Sequence, residues 1–277
     1  MTKKVWVFGD YKQAEAMVVA WRGPVPFLKT WFEQKKDVHL NVAKMIGKVV
    51  QDSKLQMPSG LWMTCPWQEI PKESKERELS KRTVHANNYD MGVMKYSLIT
   101  GLPVKYARIL QDMYHTLFPE IRGNYHRWIR EELTRTHTLE NPLGWHRRFY
   151  DLIKYGTIDP DVLRKGYAWY AQSTIGLMTI KWWYRVCEVF KDDLPEVKIW
   201  TPQNIRRQGL DVQLQVHDSI GAVVPDDKPT IDYAVKRMDE LGSIPLLINN
   251  EILDIPRDFK VGPSWGELRD YDLRSLS

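Results

Sequence analysis

Lys4-Val5-Trp6-Val7-Phe8-Gly9-Asp10-Tyr11-Lys12-Gln13-Ala14-Glu15 is the stretch on which the reading of the whole chain turns. β-Branched and aromatic residues alternate from Lys4 to Phe8 and then meet Gly9-Asp10, the pattern of a strand that delivers a carboxylate to its end. A helix is expected from Gln13 onward. The same device recurs far along the chain, where Val212 to Val216 and Ile220 to Val224 flank His217-Asp218-Ser219 as a hairpin with a polar tip.

Two carboxylates placed where β-structure stops can converge on one site. Nucleotidyl transfer by two metals needs that arrangement: carboxylates bridge two Mg²⁺ ions about 4 Å apart, one activating the attacking hydroxyl and one stabilising the leaving phosphate. Taken singly, Asp10 and Asp218 each read first as a turn residue or helix cap. A third element is Arg77, Lys81, His85 and Tyr89, spaced by four so that a helix stacks them along one face. Two cations one turn apart can hold a triphosphate, and an aromatic ring further on can pack against base and sugar. A solvated charged helix is the competing reading of that face.

Between these pieces the periodicity predicts mostly helices. Val38, Val42, Met45, Ile46 and Val49 share a helical face over 37–50, with Asp37 as N-cap. Pro58, Pro66 and Pro71 break 51–72 into a loop. Helices are expected over 72–89, 103–117, 121–134, 160–190 and near 230–241, a hairpin around Asn141-Pro142-Leu143-Gly144, and a strand pair at the C-terminal end. Runs of strand and helix in this order give an α+β fold.

Composition narrows the class. With 277 residues, 43% of them hydrophobic, the chain can bury a sizeable core, and its apolar runs are too short to span a membrane. The N-terminus has neither an apolar h-region nor a cleavage site, and the two cysteines, Cys65 and Cys187, form no metal-binding spacing, so a cytoplasmic setting is expected. Forty Lys and Arg against 35 Asp and Glu leave a net charge of +5, which suits a polyanionic partner. His115, His126, His137 and His146 are scattered and read as packing or surface residues.

The order of the pieces resembles the family-A DNA polymerases, the polymerase I-like group including phage enzymes. Asp10-Tyr11-Lys12-Gln13-Ala14-Glu15 resembles motif A, Arg77-x3-Lys81-x7-Tyr89 resembles motif B, and Val216-His217-Asp218 resembles motif C. Asp37-Val38-His39, Gly144-Trp145-His146-Arg147-Arg148, Arg164, Gln172-Ser173-Thr174 and Lys260-Val261-Gly262-Pro263-Ser264-Trp265 resemble further family segments, so the likeness covers nearly the whole chain. It implies an antiparallel palm sheet, a helical fingers subdomain, two Mg²⁺ ions, dNTPs and primer-template DNA. Palm is expected over 1–20 and 155–277, with fingers over 21–154.

Residue by residue, the resemblance makes Asp10 and Asp218 metal ligands, with the Tyr11 carbonyl beside them. Glu15 becomes the steric gate against a ribose hydroxyl. Gln13, His39, Arg77, Lys81, His85 and Tyr89 line the nucleotide, and Lys81 protonates the leaving pyrophosphate. Arg164, Gln172, Thr174 and His217 contact DNA. Lys12, Asp90, Ser219, His85 and Ala168 depart from the family pattern, where Ser, Gly, Glu, an aromatic and Asn stand. The family's thumb and exonuclease domains have no counterpart in the sequence, which implies a second polypeptide carrying them or a fragment. Two alternatives are a single-subunit phage-type RNA polymerase, against which Gln13 and Glu15 argue, and a catalytically silent nucleic-acid-binding subunit.

Overall fold

The computed structural model describes residues 3–150, 153–154, 157–192, 211–216 and 218–272. In chain order the elements are β1 (Lys4–Tyr11), α1 (Ala14–Arg22), α2 (Pro26–Glu33), α3 (Val38–Asp52), α4 (Lys75–Asn88), α5 (Val93–Thr100) and α6 (Val104–Leu117). A π-helical stretch, Ile121–His126, runs into α7 (Arg127–Thr136), followed by β2 (Thr138–Glu140), β3 (His146–Arg148), β4 (Ile153–Lys154) and β5 (Thr157–Ile158). Then come α8 (Pro160–Asp192), β6 (Asp211–Val216), β7 (Ser219–Pro225), α9 (Lys228–Gly242), β8 (Leu246–Ile248), β9 (Glu251–Leu253), β10 (Arg257–Gly262) and β11 (Arg269–Tyr271). The fold is α+β, as the sequence implies. No helix among the described residues is long and apolar enough to cross a membrane.

The chain divides into two compact units, Met1–Ala14 with Gln172–Ser277, and Glu15–Ala171. The division falls after Ala14 and after Ala171, whereas the sequence reading drew palm and fingers at 20/21 and 154/155.

The first unit is built on an antiparallel sheet of order β11-β10-β1-β7-β6. Its centre, β1, alternates as the strand period demands: Val5, Val7, Gly9 and Tyr11 face inward, and Trp6, Phe8 and Asp10 the other way. Trp182 is fully buried behind Gly9, its indole N–H donating to the Met238 carbonyl of α9 at 2.8 Å. A Cβ at Gly9 would lie 2.7 Å from the Trp182 ring and 2.8 Å from Phe259, so the strand end closes onto the core only because residue 9 has no side chain. Arg257 fastens β10 to α9 through Asp239 at 2.7 Å.

The second unit is helical. Trp62 is buried against α3, donating from its indole to the Ala43 carbonyl at 2.9 Å, and Gly47 makes room for it. Gln51 organises the proline-rich connection, donating to the carbonyls of Trp62 (2.7 Å) and Cys65 (2.8 Å) and accepting from Trp67 N at 3.1 Å. That segment therefore has two short 3₁₀ turns, Pro58–Gly60 and Trp67–Glu69, where a plain loop was expected. The sequence reading missed α2 and α5, both eight-residue helices too short to show a repeating apolar stripe. Ser74 caps α4 by accepting from Arg77 N at 3.1 Å, which starts that helix after the predicted Lys72.

Candidate active site

In the first unit, Asp10 and Asp218 come together by sheet register. Asp10 pairs with Ser219 across β1 and β7, and the Tyr11 amide donates to the Asp218 carbonyl at 3.1 Å, so the residue before β7 is pinned beside the end of β1. Burial pushes the Asp10 carboxyl up to about 7; the neighbouring Asp218 charge, a hydrogen bond between the two side chains and Asp258 add to this, while Lys260 opposes it. Two acids whose charges oppose each other at this spacing are relieved by a cation.

The donor chemistry fits Mg²⁺, which binds one or two carboxylates and completes its shell with water and phosphate oxygens. No group of three or more His, Cys, Asp or Glu able to hold a metal occurs among the described residues. The buried Tyr11 hydroxyl donates to the Gly242 carbonyl at 2.8 Å, so the side chain is already engaged. Gln13 has a left-handed backbone, φ 51°, immediately before α1.

Two neighbours of Asp10 escaped the sequence reading. Asp258 on β10 lies opposite Asp10 in register and pairs with Lys12 at 3.2 Å; Lys260 stands two residues on, on the same face. Nothing local in the sequence marks them, because only the strand register brings 258 beside 10.

In the second unit, α4 carries Arg77, Lys81 and His85 along one face, and Tyr89 ends it as C-cap. Lys81 is exposed and makes no ion pair among the described residues. Arg77 is gripped by Asp37: Nε donates to Oδ2 at 2.8 Å and Nη2 lies 2.7 Å from the same oxygen. Asp37 also caps α3, accepting from Leu40 N at 3.0 Å. Although burial works to raise it, the Leu40 amide and Arg77 hold the Asp37 carboxyl below its ordinary value. His39, on α3, is buried, and burial followed by the nearby His85 pulls it down to about 3, so it is a neutral imidazole. Its Nδ1 has no hydrogen-bond partner among the described residues.

Glu15, in the first turn of α1, is 9% exposed and accepts from the Tyr89 hydroxyl; His85 Nδ1 lies 3.7 Å from the same carboxylate oxygen. Burial and then Glu15 hold the Tyr89 phenol well above its ordinary range, so it stays a donor. Asp90 follows with φ 51°, the left-handed conformation that a glycine would take without strain.

Arg164 of α8 donates to the Asp90 carbonyl at 3.0 Å and to Asp161 at 2.7 Å. Gln172 is exposed and Thr174 fully buried, and His217 lies outside the described residues. His115 and His126 are buried packing residues, with His126 stacked on Tyr167 at 4.1 Å.

No family model matches the chain, and no curated protein matches it. Among solved structures it is similar to the POL domain of Pol1 from M. smegmatis in complex with DNA primer-template and dNTP, with a TM-score of 0.71 at 16% identity. The match covers 95% of this chain and 40% of that one. The fold is therefore polymerase-like.

Proposed function

We propose that the chain is the palm and fingers portion of a family-A, phage-type DNA polymerase, adding dNTPs to a primer 3′ end by two-metal nucleotidyl transfer. One observation carries the reading: Asp10 and Asp218 are set side by side at the ends of adjacent strands, where burial and then the Asp218 carboxylate push Asp10 up to about 7. The likeness to a polymerase solved with primer-template and dNTP supports it.

On this reading Asp10, Asp218 and the Tyr11 carbonyl hold the ions. Bound Mg²⁺ supplies charge neutralisation at the attacking hydroxyl and the leaving phosphate. Lys81, exposed and unpaired among the described residues, donates a proton to the departing pyrophosphate. Arg77 and His39 orient the phosphates. Glu15, held by Tyr89, presents a fixed wall where a ribose 2′-hydroxyl would enter, and His85 packs beside the sugar. Gln13 is assigned to the nucleotide as well. Arg164, Gln172 and His217 serve the duplex, whereas Thr174, fully buried, has no surface to offer it.

The chain spans 40% of the length of the solved polymerase it matches. A second polypeptide carrying thumb and exonuclease domains, and action in the cytoplasm, belong to the proposal. The test is extension of a primed template with Mg²⁺ and dNTPs, with Asp218→Asn as control. Extension lost in the mutant supports the reading. A folded wild-type chain that neither extends primers nor binds dNTP in a Mg²⁺-dependent way overturns it.

A further inference from the structure

The β2–β3 hairpin carries a surface that the catalytic reading leaves unused. Asn141 is 3% exposed and builds the turn: its Oδ1 accepts from Leu143 N at 3.0 Å and from Trp145 N at 3.1 Å, and its own amide donates to the Trp145 carbonyl at 2.8 Å. Gly144 supplies the left-handed step, φ 81°. The tip is thus fixed by the fold, and what it presents is unusual for a solvent-facing strand.

His146, Arg147 and Arg148 are all exposed, and exposed rings bracket them, Trp145 at 50% and Tyr150 at 74%. Alternation places Arg147 with Trp145 and Phe149 on one face, and His146 with Arg148 and Tyr150 on the other. Neither arginine is ion-paired among the described residues. Arg147 lies over the Phe149 ring at 5.0 Å and Arg148 over Tyr150 at 5.9 Å. Trp169 of α8 meets Trp145 edge-on at 6.4 Å and Phe149 at 6.2 Å, which steadies the first face from behind. The register brings one acid to the strand, Glu140 opposite His146.

Unpaired cations interleaved with exposed rings suit a polyanion whose bases are free to stack, since duplex bases offer no faces. We propose that this hairpin binds single-stranded DNA, the unpaired template strand, with Trp145 and Tyr150 as stacking platforms and Arg147 and Arg148 on the phosphates. The identity of the strand rests on the polymerase reading; the binding itself does not.

The test is fluorescence anisotropy of a labelled oligo-dT and of a blunt duplex with the full chain, without nucleotide or metal. The double variant Trp145→Ala/Tyr150→Ala is expected to lose oligo-dT affinity by about tenfold or more, with duplex affinity unchanged and Trp145→Phe/Tyr150→Phe retaining binding. Unchanged oligo-dT affinity in the alanine variant, with its fold confirmed by circular dichroism, overturns the inference, as does an equal loss for both DNAs. Because no catalysis is read, failure of primer extension leaves this result standing, and a chain that extends primers yet shows no loss sinks only the hairpin.

Discussion

Asp10 ionises against its surroundings, and that has a measurable sign. Its folded-state value of about 7 lies above the ordinary carboxylate range near 4, so between those pH values the native chain holds a proton that the unfolded chain has released. Stability of the metal-free protein should fall as pH rises from about 4 to about 7. Asp10→Asn abolishes that decline and is expected to be the more stable by about 1–3 kcal/mol at pH 8, read from urea melts in EDTA. Mg²⁺ added at pH 8 should raise the melting temperature of the wild type and leave Asp10→Asn unmoved. Tyr89→Phe removes the hydroxyl that anchors Glu15; if Glu15 is the sugar gate, as proposed, single-nucleotide incorporation should show the preference for dNTP over rNTP falling several-fold, and Glu15→Ala should lose more. Lack of any change in either variant would remove Glu15 from the gate.

Strand β1 and helix α4 both end in conformations their neighbours dictate. Gly9→Ala drives a methyl into Trp182 and Phe259 one residue from Asp10, and should destabilise by about 1–3 kcal/mol in denaturant melts, with extension suffering alongside. Asp90 sits left-handed after α4 with its carboxylate 3.6 Å from Arg122, an exposed pair of small worth. Asp90→Gly should therefore stabilise by about 0.5–1 kcal/mol, since relief of backbone strain exceeds the pair that is lost. A destabilised Gly variant would show that the Arg122 contact outweighs the strain.

Across the molecule, β1, the β6–β7 hairpin, the turn hairpin at β2–β3 and the long helices were legible in the sequence, because period and turn chemistry are local; the two-residue strands β4 and β5 were not, and four strands, β8 to β11, stand where one terminal pair was expected. Asp10 and Asp218 could be named as a pair from their matching positions at strand ends. What stayed hidden depends on register and packing: Asp258 beside Asp10, Asp37 on Arg77, and the burial of Thr174. The α2 and α5 helices were hidden for another reason, their shortness. The net charge of +5 gives a prediction for the whole chain: affinity for primed DNA should fall linearly with log salt, by tenfold or more between about 50 and 200 mM NaCl. A flat salt response would exclude phosphate contacts as the source of binding.

If Arg77 takes a phosphate, as proposed, its ion pair with Asp37 is a resident competitor. Any phosphate that reaches Arg77 must exchange with a carboxylate that the Leu40 amide keeps from swinging away. On the proposed function, occupancy would be a contest of anions that favours ligands with several phosphates over those with one. Asp37→Asn keeps an acceptor for the helix cap but releases the arginine, so triphosphate binding should tighten while selectivity over monophosphate narrows, a trade that titration calorimetry with both nucleotides would read.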